Sequence, residues 1–193
     1  MKPIALLSII ALLVISCNSE FTPKKRGYYR IDFPKHEYQT FDQPGYPYSF
    51  EYPVYAKIVK DTTFFEANPE NPFWINIEFP RFHGKVYISY KDVTGSDYTK
   101  LVNDAYKMTY KHSSKATEIT DSAMRTRNEV DGVFFNVGGN AATAKQFFLT
   151  DKTKHFLRGA LYFDASPNED SLSVVNDFLQ EDLKHLINTL RWK

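Results

Sequence analysis

What this chain lacks narrows it before any motif is found. It has 193 residues and one cysteine, Cys17, so no disulfide frame and no thiolate metal cluster can be built from it. It lacks net charge of either sign. Lys and Arg number 24 against 23 Asp and Glu, and Lys2 is the single charged residue before Cys17. From Cys17 onward the balance is therefore 23 against 23. A neutral chain argues against a nucleic-acid partner, which would call for a basic surface. It also lacks an apolar run long enough to cross a bilayer. The longest, Ile4–Ile15, is twelve residues, and a spanning helix needs about 20. Glycine is sparse, and the one adjacent pair, Gly138-Gly139, has neither the Lys-Ser/Thr of a phosphate loop nor the third glycine of a dinucleotide fingerprint. With Asn140 it reads as a hairpin turn.

Catalytic patterns are missing as well. There is no Gly-x-Ser-x-Gly elbow. The five histidines, His36, His83, His112, His155 and His185, include no pair at the i, i+4 spacing of a helical zinc site. They read as surface side chains with ordinary partners. Glu181 and Asp182 read as solvated carboxylates on the outer face of a helix. No catalytic residue, metal or cofactor is expected.

What is present begins at the N-terminus. Lys2, the apolar run, Ser16 and Cys17 follow the order of a bacterial lipoprotein signal. The expected processing removes residues 1–16. It leaves Cys17 with a diacylglyceryl thioether on its thiol and an acyl chain, typically palmitate, on its freed amine. Each buried CH₂ contributes about 0.8 kcal/mol, so two or more chains anchor stably where one does so marginally. The lipid also consumes the only thiol and removes a cysteine nucleophile from consideration. Residues 17–26 read as the lipidated end and a tether. Its Lys24-Lys25-Arg26 cluster suits an anionic surface, at about 1 kcal/mol per basic residue. Residues 27–193 read as one domain, long enough to bury a core.

The domain is rich in aromatics, with 16 Phe, 13 Tyr and 2 Trp, which favour strands and large packed contacts. Gly27–Pro34 reads as extended chain, and Ser49–Ile58 as a strand with an edge or break at Pro53. Phe73, Ile75, Ile77 and Phe79 alternate with Trp74, Asn76 and Glu78, the period of a half-buried strand. Val86, Ile88 and Tyr90 repeat the pattern after a turn at Pro80–Gly84, giving a hairpin.

A helix is predicted over Asp97–Ser113, capped by Ser96 or Asp97, with Leu101, Val102, Ala105 and Met108 on one face. Glu118–Arg127 is polar and reads as a hairpin arm or loop. Val133–Val137, Ala144–Leu149 and His155–Phe163 read as strands. A last helix is predicted from Ser166-Pro167-Asn168-Glu169, a capping-box spacing with proline at the first helical position. Its stripe is Leu172, Val175, Leu179, Leu183, Leu186 and Leu190. The expected fold is a single α+β domain, an antiparallel sheet covered by two long helices. This element order resembles the α-β-α sandwich of Mog1/PsbP-like domains.

Taken together, several segments resemble one family. They are the signal ending at Cys17, Thr22–Pro34 (TPKKRGYYRIDFP), Ser49–Ile58 (SFEYPVYAKI), Phe73–Pro80 (FWINIEFP) and the closing Glu181–Trp192 (EDLKHLINTLRW). These resemble the gliding motility lipoproteins of the GldD family of Bacteroidota, across essentially the whole chain. The resemblance implies a lipid-anchored component of the cell envelope, and the absence of an acidic run after Cys17 favours one that faces the periplasm. It further implies an accessory of the gliding and type IX secretion machinery that binds partners and turns over no substrate. Arg26, Tyr28, Tyr29 and Arg30 are the candidate partner contacts. The alternative is a binder of a small or glycan-like envelope ligand, in a pocket lined by Trp74, Tyr87 and Tyr90.

Overall fold

The computed structural model describes residues 27, 30–61, 72–94 and 97–193. The predicted signal at 1–16 and tether at 17–26, and Ser96, lie outside them. Asp32–Lys193 form one body, and Gly27, Arg30 and Ile31 belong to the unit before it. Ten strands and two α-helices build the α+β domain described here.

Alternation produces the central hairpin. β4 (Ile75–Phe79) and β5 (Gly84–Asp92) are antiparallel, with Ile77 opposite Val86. A 3₁₀ turn at Pro80–Phe82 joins them and ends on His83 at φ 48°, in the left-handed region. The hairpin belongs to a seven-stranded antiparallel sheet of order β3-β4-β5-β9-β8-β7-β6. Its other strands are β3 (Lys57–Lys60), β6 (Ala116–Arg125), β7 (Asp131–Gly139), β8 (Lys145–Thr150) and β9 (His155–Phe163). A second sheet of three strands is built from both ends of the domain: β1 (Tyr38–Phe41), β2 (Tyr48–Pro53) and β10 (Arg191–Trp192), with β2 in the middle.

Period-2 side chains divide the large sheet into two apolar faces. On one, Ile77, Phe79, Val86, Ile88, Phe134, Phe147, Leu149, Leu157 and Leu161 pack with β1, β2 and the C-terminal helix α2 (Glu169–Thr189). On the other, Val133, Phe135, Phe148 and Phe156 meet α1 (Tyr98–Tyr110) through Leu101 and Ala105. Helices thus lie on both faces. Asp97 caps α1, its carboxylate accepting from the N–H groups of Thr99 and Lys100. Mid-sheet, Gly159 is required by contact, because a Cβ there would stand 2.2 Å from the Phe147 ring.

Two local expectations change and two open ones resolve. The break expected at Pro53 is there: Ser49–Ile58 divides into β2 and β3, which join different sheets. Gly138 and Gly139 are not the turn, which runs over residues 140–144. They end β7, where Gly139 pairs with Ala116 at a register shift and at φ 85°. Of the hairpin arm or loop expected at Glu118–Arg127, the arm is found: the stretch lies largely within β6, which pairs antiparallel with β7 and, as an edge strand exposed on both faces, shows no alternation. Finally, α2 starts at Glu169. Asn168 is its cap, extended at φ −149° and accepting from the Ser171 N–H, while Pro167 stays outside the helix.

Candidate functional site

Of the predicted site residues, Cys17, Arg26, Tyr28 and Tyr29 lie outside the described residues. Arg30 is described and exposed. Immediately after it in the chain begins a polar and aromatic cluster built around Asp182, which the sequence reading placed in solvent.

Asp182 is 1% exposed. His36 Nδ1 donates to its Oδ1 at 2.7 Å, the Tyr38 hydroxyl donates to the same oxygen at 3.1 Å, and the Tyr55 hydroxyl donates to Oδ2. Burial, and then the carboxylate itself, push the Tyr38 and Tyr55 phenols well above their ordinary value, so both remain donors. Phe178, one turn earlier on α2, stacks on Phe33 at 4.3 Å and on His36 at 4.4 Å between ring centroids. Tyr38 stacks in turn on His185, whose Nε2 lies 2.6 Å from Glu51 Oε2. The arrangement is a clamp. Three donors saturate a carboxylate closed to solvent, and the residues before β1 are held against α2.

Glu181 is exposed as expected, but its neighbour Asp182 is not. The signal was in the spacing: Asp182 is three residues after Leu179 and four before Leu186, which puts it on the apolar stripe. One histidine is corrected with it. His36 is exposed and His185 half-buried, each against a carboxylate, but His155 is buried, 2.8 Å from the Tyr90 hydroxyl and stacked on Trp192 at 4.9 Å. Burial pushes the Tyr90 phenol up to about 12 and lowers His155 below its ordinary value.

Trp74, Tyr87 and Tyr90 do not line one pocket. Trp74 is buried and its indole N–H donates to the Tyr90 carbonyl at 2.8 Å, and the Tyr90 side chain points into the core against Tyr48. Tyr87 has the opposite parity on β5 and packs on Tyr162. A cavity of about 200 Å³ instead lies beside the start of α2 and the end of β7. Lys145 on its wall donates to Asn136 Oδ1 at 2.9 Å and sits 3.8 Å from Asp177, and burial lowers its ordinary pKa. Asn176, 7% exposed, lines the same cavity with a side-chain oxygen that has no hydrogen-bond partner among the described residues. Among the described residues, no three His, Cys, Asp or Glu side chains gather as metal ligands would.

The family model for the gliding motility lipoprotein GldD matches residues 18–192. The chain belongs to the GldD family. Membership makes it a gliding-motility-related lipoprotein and so a membrane-anchored component of the cell envelope. GldD is not a known enzyme family. No curated protein matches the chain. Among solved structures it is similar to the solution structure of cyanobacterial PsbP (CyanoP) from Synechocystis sp. PCC 6803. Identity is 12%, the match covers 86% of this chain and 98% of that one, and the TM-score is 0.48.

Proposed function

We propose that this GldD-family chain serves the gliding and type IX secretion machinery as a non-catalytic accessory, binding other envelope components while lipid-anchored on the periplasmic side of a membrane. The observation that carries this reading is the extent of the family match, which starts at Asn18, directly after Cys17, and runs to Trp192. In this reading residues 1–16 are removed as a signal, Cys17 carries diacylglyceryl and palmitoyl chains, and residues 17–26 span from the lipid to a domain at 27–193. Arg26, at the end of the tether, and Tyr28, Tyr29 and Arg30, at the start of the domain sequence, are the partner contacts in this reading.

The test is recovery of tagged, lipidated protein from membranes after mild crosslinking, with the co-purifying chains identified by mass. Stoichiometric recovery of motility or type IX secretion components supports the reading, and recovery of the protein alone overturns it. Replacing Arg26, Tyr28, Tyr29 and Arg30 by Ala weakens that recovery without lowering thermal stability. Cys17→Ser leaves the chain unprocessed or releases it to the soluble fraction; a processed, unlipidated chain still in the membrane would overturn the anchor.

A second reading, binding of a small or glycan-like envelope ligand, is favoured by the cavity beside α2, with its unpartnered Asn176 oxygen. Titration with methyl glycosides tests it. Saturable binding lost in Ser173→Phe, which fills the cavity from a half-buried helix position, supports it.

A further inference from the structure

A different cavity, of about 170 Å³, lies on the other face of the sheet under α1. Its walls are apolar and aromatic at Trp74, Leu101, Met108 and Phe156, and Arg158 of β9 reaches into it. Arg158 is half-buried, and an arginine so placed usually has a carboxylate partner. Here, among the described residues, Arg158 makes no ion pair. Its guanidinium donates to one neutral acceptor, Gln146 Oε1, at 2.5 Å. Asp104 lines the same cavity yet forms no ion pair with Arg158. Burial works against the guanidinium charge and lowers its ordinary pKa.

The surroundings are short of acceptors. Gln146 Oε1 already accepts from the Thr109 hydroxyl at 3.2 Å as well as from Arg158. Gln146, 1% exposed, has a side-chain N–H₂ with no partner among the described residues. The guanidinium supplies five N–H donors and the amide two; Gln146 Oε1 is already shared, and the other side-chain oxygens on the cavity wall are those of Asp104 and Ser89. Nearby cationic character adds to the imbalance. Lys91 lines the cavity, and the Arg158 charge helps to lower His112 after burial has done so. An anion would bring the missing acceptors, and the apolar walls suit a short hydrophobic body attached to it.

We propose that the cavity between α1 and the sheet is a binding site for a small organic carboxylate with a compact apolar body, its carboxylate held by Arg158. This site is separate from the cavity beside α2 and does not depend on docking to the secretion machinery.

Calorimetric titration of the full-length protein in detergent, with benzoate as the probe and benzyl alcohol as its uncharged counterpart, tests this. Benzoate is expected to bind saturably and benzyl alcohol not to bind. Arg158→Met keeps the aliphatic stem and removes the charge. It is expected to weaken benzoate by at least about tenfold, the loss of one charged hydrogen bond. Because the guanidinium is uncompensated in the free protein, Arg158→Met also leaves the urea midpoint unchanged or raised. Met108→Trp fills the cavity mouth from a helix position that is 44% exposed, and abolishes binding without disturbing the core. Failure of benzoate to saturate, equal binding by benzyl alcohol, or benzoate binding untouched in both variants overturns the proposal. Inorganic phosphate binding as tightly as benzoate overturns the requirement for an apolar body.

Discussion

The two faces of the seven-stranded sheet are covered very differently. Under α2 and the three-stranded sheet lies a cluster of 23 buried apolar residues, and under α1 a cluster of seven. Among the described residues, the first face is closed by a 21-residue helix and strands from both ends of the domain, the second by a 13-residue helix. The treatment of charge beneath the helices differs in the same sense: Asp182 is buried and Arg158 half-buried. Asp182 on the α2 side has three donors, and Arg158 on the α1 side has one neutral acceptor. Stability is thus concentrated on one face, and the other keeps an unbalanced polar group that a ligand can complete.

The comparison breaks first, and most severely, in α2. Leu179 is fully buried, and Leu179→Ala is expected to cost about 3 to 4 kcal/mol in urea unfolding of the full-length protein. A cost below about 1 kcal/mol would mean that α2 is not the main cover. Next comes Asp182→Leu, which strands three donors and is expected to cost about 2 to 3 kcal/mol. Restoration of most of that stability by also changing His36, Tyr38 and Tyr55 to apolar residues would tie the loss to the clamp. On the α1 face, Leu101→Ala is expected to cost about 2 kcal/mol, because Leu101 is 8% exposed in a smaller cluster that can partly close up. A loss as large as that of Leu179→Ala would erase the asymmetry.

The smallest effect concerns pH and both faces. Burial lowers His155 and His112 below 6.5 in the folded chain. The unfolded chain therefore takes up protons first as pH falls, and the stability these groups contribute above about 6.5 is lost on acidification through their lowered values. Urea midpoints are expected to fall from pH 7.5 to 5.5, and His155→Phe, which can still stack on Trp192, flattens the slope. A midpoint that rises towards acid would contradict the assignment.

Much of the frame was legible where one face of an element is buried locally. The alternation at Phe73–Phe79 and Val86–Tyr90 and the stripe of α2 reflect single-face burial, and the structure places a hairpin and a helix there. What escaped was set by distant chain. The spacing puts Asp182 on the stripe of α2, but its partners lie 127 to 146 positions away, and no local window contains His36 or Tyr55. β6 was legible only as a hairpin arm or a loop, because an edge strand exposed on both faces has no period to read. Gly138-Gly139 misled because a positive φ serves a register shift as well as a turn. Arg158 was invisible for a different reason: on β9 it looks like one polar residue among alternating ones, and only the folded neighbourhood reveals how few acceptors it has.

The three-stranded sheet also has a mechanical consequence. Traction applied from the N-terminal end enters the domain at Asp32 and reaches β1 before anything else. That strand holds by four register pairs to β2 and by the bonds of His36 and Tyr38 to Asp182, and β10 secures the opposite edge of β2 by two pairs. The load therefore falls on a ladder of only four pairs and on α2. A pull strong enough to peel β1 would lengthen the link to the anchor while the seven-stranded sheet kept its pairing, so the small sheet acts as a mechanical fuse for the large one.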